Sequence, residues 1–119
     1  MIDVTFHSER KLVRAVMGGL LTVADVERFS REEQEAVRTM GLGPGEFLLL
    51  VETHGNVVQS QEVVAAFQNL MLHSAVKAKR IATVRSGALT TLQTRRIASV
   101  SQSAQVFETS EEAQAWLFS

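Results

Sequence analysis

The 119-residue chain predicts an α/β fold: a mixed, mostly parallel five-stranded sheet with an antiparallel N-terminal edge strand and four helices, in the order ββαβαβαβα. Three observations carry this. Short alternating or continuously apolar segments recur between stretches of helical periodicity, the pattern of strands joined by helical crossovers. Turn-forming pairs such as Gly18-Gly19 and Gly43-Pro44-Gly45 separate those segments. The composition, 45% hydrophobic and 21% charged, suits one packed core, and no repeat or linker divides residues 1–119.

Ile2 to Phe6 alternates apolar and polar residues and reads as a half-buried strand. His7-Ser8-Glu9-Arg10 breaks it, and Leu12 to Met17 forms a second strand. So short a link makes the pair an antiparallel hairpin. Thr22-Val23-Ala24-Asp25 starts a helix with a capping-box pattern, in which a hydroxyl and an acid three residues on serve the free amides. Val26, Phe29, Val37 and Met40 recur at helical spacing, while Arg31, Glu32, Glu35 and Arg38 supply a solvated face. Gly41 stands where a helix C-terminus calls for positive φ.

Phe47 to Val51 is continuously apolar, as in a central parallel strand covered on both faces. Thr53 to Asn56 reads as a loop. A second helix runs from about Ser60 to Val76, with Val63, Phe67, Leu70 and Met71 as its main stripe. Arg80 to Arg85 alternates as a strand, and Ser86-Gly87 ends it. Leu89, Leu92, Ile97 and Val100 mark a third helix. Gln105 to Glu108 is a short last strand, and Ser110 caps a final helix with Ala113, Trp116 and Leu117 inward.

Charge and composition exclude several functions. A net charge of −1 and a pI near 6.3 provide no field for nucleic acid or anionic membrane. The absence of cysteine removes disulfides and thiolate chemistry. No apolar run reaches the ~18 residues of a membrane span, and Asp3 stands where a signal peptide carries bases, so a cytoplasmic chain is expected. No GxxxxGK loop is present, and Gly41 to Gly45 precedes a strand, which argues against nucleotide hydrolysis. His7, His54 and His73 lack metal-ligand spacing, so neither metal nor cofactor is expected.

The tail Val106-Phe107-Glu108-Thr109-Ser110-Glu111-Glu112-Ala113-Gln114-Ala115-Trp116-Leu117, with the Phe47–Val51 strand running into a loop and helix, resembles the STAS domain. The likeness is to stand-alone STAS-like proteins related to bacterial anti-sigma-factor antagonists, and the fold is also similar to that of lipid-binding CRAL-TRIO domains. It spans the whole chain. It implies a non-enzymatic regulatory module that binds a protein partner. Antagonists of that family carry Asp-Ser or Asp-Thr at the start of the helix after the central strand, and the hydroxyl is phosphorylated. Gln59-Ser60 stands there in this chain, so Ser60 is the phosphorylation candidate but the acid is missing. The ordinary use of such a serine, as an N-cap, is favoured on the residues alone.

The second expected site is a crevice beyond the carboxyl ends of the strands, at the point where strand order reverses. It gathers Thr53, His54, Gly55 and Asn56 with Arg85, Ser86 and Gly87. Arg85 beside a helix start suits an anion, although the plainer reading is an exposed strand-end charge. The alternative function is therefore a small-molecule domain for a lipid or anion. His54 as a general base, with Glu52 as its orienting acid if the strand persists, is the weaker reading. Lys77, Lys79 and Arg80, like Arg95 and Arg96, are expected in solvent. Finally, Val64, Met71, Leu72 and Ala75 give the second helix excess apolar surface, for a symmetric homodimer, the third helix or an acyl chain.

Overall fold

Strand pairing begins with a hairpin: β1 (Ile2–His7) runs antiparallel to β2 (Leu12–Gly18) across a single 3-10 turn at Ser8–Arg10. Lys11 closes that turn with φ +52°. The computed structural model describes residues 1–55, 57–85 and 87–119. After the hairpin come α1 (Val23–Thr39), β3 (Leu48–His54), α2 (Gln61–His73), β4 (Arg80–Val84), α3 (Ala88–Ala98), β5 (Ala104–Phe107) and α4 (Ser110–Leu117). The five-stranded mixed sheet and four helices match the sequence-predicted order.

The strands lie in the order β1-β2-β3-β4-β5, with β2 to β5 parallel. Each crossover therefore moves one strand in the same direction, and right-handed crossovers then place α1, α2 and α3 on one face. Among the described residues the strand order shows no reversal, so the sheet has no switch point of the kind expected, although Thr53, His54 and Arg85 of the expected crevice do line one cavity. Functional space lies instead between the sheet and its three-helix cover.

Side-chain alternation divides the core accordingly. Val13, Ala15, Met17, Leu49 and Val51 face α1 and α2, where Val26, Phe29, Val37 and Val63 complete the larger core. Leu12, Leu50 and Ala82 face the other way, onto Ala113 and Leu117 of α4. The rings of Phe29 and Phe67 meet at 6.5 Å between α1 and α2, and Phe107 meets Trp116 at 5.6 Å under α4.

Element ends follow local chemistry. Thr22 and Asp25 form the expected capping box on α1, and the backbone N–H of Thr22 holds the Asp25 carboxyl below its usual range. Gly41 takes φ +72° just past the helix end. Ser60 caps α2 by accepting from the Val63 N–H, but α2 stops at His73, short of the expected Val76, because the Ser74 hydroxyl turns the chain onto Val76. The cap of α4 is Thr109 rather than Ser110. β3 continues through Thr53 and His54, which the sequence assigned to a loop, because β2 pairs with it along its full length.

Candidate ligand-binding site

The sheet face under α1–α3 is not filled. A cavity of about 170 Å³ lies there, floored by Leu49, Val51 and Ile81 and roofed by Phe67, Leu70 and Met71 of α2 with Ile97 of α3. An engineered apolar cavity of about 150 Å³ is large enough to bind benzene. The lining runs from Thr53 and Arg85 at the carboxyl ends of β3 and β4 to Ser103 and Ala104 at the amino end of β5. The cavity thus traverses the sheet along its strands.

Two charged groups are buried in this wall. Arg85, one residue past β4, is 7% exposed, against the expectation of an exposed strand-end charge. Its Nη2 donates to the Val57 carbonyl at 3.1 Å, while Nε is buried without a partner. Burial lowers its pKa, yet arginine remains a cation. The ion pairs among the described residues are Arg14–Glu52 and Arg38–Glu35, so no carboxylate neutralises Arg85. Its backbone N–H is bonded to Phe107 O at 2.8 Å, and the N-cap of α3, Gly87 with φ +95°, stands two residues later and offers no side-chain cap.

Glu33 is the second group. It stands on α1, is 5% exposed and lines the cavity. No hydrogen bond or ion pair reaches its carboxyl among the described residues, and burial pushes its pKa up to about 7. Glu33 is not among the residues the sequence singles out. The signal was its spacing: it follows Val26 by seven residues and Phe29 by four, on the buried stripe.

The carboxyl-end mouth is tied together by Gln59. Its side chain accepts from Leu21 N–H at 2.8 Å and donates to Gly19 O at 3.0 Å, joining the β2–α1 loop to the β3–α2 loop. Its main chain exchanges two bonds with the Gln93 side chain of α3. Neither glutamine was singled out for such a role. Leu20, Val58 and Leu92, next to these residues in sequence, are all exposed, as is Leu89 one turn earlier on α3.

The expected site residues divide as follows. Thr53, His54, Arg85 and Met71 line the cavity; Thr53 spends its hydroxyl on Val84 O at 2.7 Å. His54 is exposed, as are His7 and His73. Glu52 is engaged by Arg14 and so does not orient His54. Asn56 and Ser86 lie outside the described residues. Gly87 is exposed, as is Ser60 at the head of α2. Val64 is 3% exposed, packed inside the monomer, and is not free surface for a partner; Leu72 and Ala75 are exposed. Arg80 is not free in solvent: it lies over the Trp116 ring at 5.2 Å and donates to Trp116 O at 2.6 Å. Among the described residues no three His, Asp or Glu gather to hold a metal, and no helix is long and apolar enough to cross a membrane.

The fold is SpoIIAA-like. The chain is similar to an uncharacterised protein of the DUF3478 family with a SpoIIAA-like fold from Shewanella loihica PV-4, known from its crystal structure. The TM-score is 0.61 at 20% identity, over 98% of this chain and 92% of that one. No family model matches the chain. No curated protein matches it either.

Proposed function

We propose that this domain binds a small apolar molecule bearing an anionic group, in the cavity between the sheet and α1–α3. The observation that carries the reading is Arg85, a residue 7% exposed with an unpartnered Nε and no ion-pair partner among the described residues. Burying an unpaired cation costs several kcal/mol, and a bound carboxylate offsets that cost with charge-assisted hydrogen bonds. The apolar floor and roof take the rest of the ligand.

Decanoic acid titrated by calorimetry tests this. Saturable binding is expected, with the Arg85→Met variant weakened roughly tenfold or more. Equal affinity in that variant, or no binding by the native chain, overturns the proposal.

The regulatory reading has its own support. Ser60 is exposed at the head of α2, and Leu20, Val58, Leu89 and Leu92, from the β2–α1 loop, the β3–α2 loop and α3, are each exposed. A STAS-like fold is consistent with a protein partner on that surface, with phosphate on Ser60 as a switch. A partner captured by the native chain and released by Ser60→Asp would favour this reading over the first.

A further inference from the structure

Glu33 gives the cavity a second polar anchor. Resting on the proposed binding role, we infer that the ligand is bifunctional: an apolar acid carrying a hydroxyl remote from its anionic end, with the Glu33 carboxyl bonding that hydroxyl. Glu33 is 5% exposed, lines the same cavity as Arg85 and has no hydrogen-bond or ion-pair partner among the described residues. The cations of the wall, Lys77 and Arg85, are in no ion pair with it among the described residues. Holding a largely desolvated carboxyl without a protein partner is costly in the empty domain, and a ligand hydroxyl that both donates and accepts relieves it in either protonation state.

Position supports two separate anchors. α1 packs on β1 and β2, whereas Arg85 follows β4. β2 and β4 are two strand spacings apart, about 10 Å across the sheet. Glu33 also lies past the midpoint of α1, which runs back toward the amino ends of the strands, while Arg85 is at a carboxyl end. Phe29, Phe67 and Leu70 line the apolar space along with them. A single anion cannot satisfy both groups; a medium-length chain with a polar group at each end can.

The probes are decanoic acid and its ω-hydroxy analogue, titrated into the native chain, Glu33→Met and Glu33→Gln. The native chain is expected to prefer the hydroxy acid roughly tenfold. Glu33→Met abolishes the preference while still binding decanoic acid in an Arg85-dependent way, and Glu33→Gln, which keeps hydrogen-bonding capacity, retains most of it. Thermal unfolding checks that each variant is folded. Equal affinity of the native chain for the two acids, or a preference that survives in Glu33→Met, overturns the assignment of Glu33. If neither acid binds, the binding role falls with it; decanoic acid bound through Arg85 without a hydroxyl preference removes the second anchor alone.

Discussion

Gln59 and Gln93 hold each other across the mouth of the cavity. The Gln59 N–H donates to Gln93 Oε1 at 2.8 Å, and Gln93 Nε2 donates back to the Gln59 carbonyl at 2.8 Å. The Gln59 side chain is thereby free to bond Gly19 and Leu21. Three segments distant in sequence meet at one residue.

This arrangement separates two mutational effects. Gln93→Ala removes both bonds to the Gln59 main chain, and Gln59→Ala removes both bonds to the β2–α1 loop. Each is expected to cost about 1–3 kcal/mol in urea unfolding, since each loses two part-buried bonds. The double mutant shows coupling, because both act through the same loop. Strict additivity would mean that the loop does not transmit between them. Gln59→Asp fares no better than Gln59→Ala, because a carboxylate cannot donate to Gly19 O.

Glu33 makes stability depend on pH in a sense opposite to an ion-paired acid. Its carboxyl rises from an ordinary value near 4.5 to about 7 on folding, so the native state binds the proton more tightly than the unfolded chain. Its contribution is fully present below about pH 4.5 and is lost as pH rises through about 7. The loss is about 3 kcal/mol. Urea midpoints should therefore fall between about pH 5 and about pH 8 in the native chain and stay flatter in Glu33→Gln. A midpoint that rises over this interval, or an unchanged slope in the variant, contradicts this.

Arg85→Met is expected to stabilise the ligand-free domain while weakening anion binding. Methionine keeps most of the length, removes a buried charge that no carboxylate pairs, and adds apolar contact. The lost bond to Val57 O offsets part of that gain. A rise in thermal midpoint checks the prediction. A clear fall would show that the guanidinium stabilises the loop more than its burial costs.

Ser60 caps α2, so Ser60→Ala should cost about 1 kcal/mol, whereas Ser60→Asp, itself a good cap, stays close to the native stability. Equilibrium unfolding of the two variants distinguishes them. An Asp variant as unstable as the Ala variant would mean that the acid fails as a cap here.

Local chemistry that acts within a few residues could be read directly from the chain. The capping box at Thr22 and Asp25, the serine cap at Ser60 and the glycine after α1 each need only neighbours in sequence. Period and punctuation set the element order, because alternation and helical spacing are local properties. Arg85 too was legible as a residue of interest, through its place between a strand and a helix.

What the tertiary structure alone decided is where those elements leave space and which charges they bury. Sequential strand order leaves the open space on the covered face of the sheet as well as at the carboxyl ends of its strands. Arg85 and Glu33 become neighbours of one cavity only because β4 and α1 share that face, although 52 positions separate them in the chain. Burial and hydrogen bonding between remote segments, as at Gln59, depend on how the whole chain packs, and no local pattern encodes them.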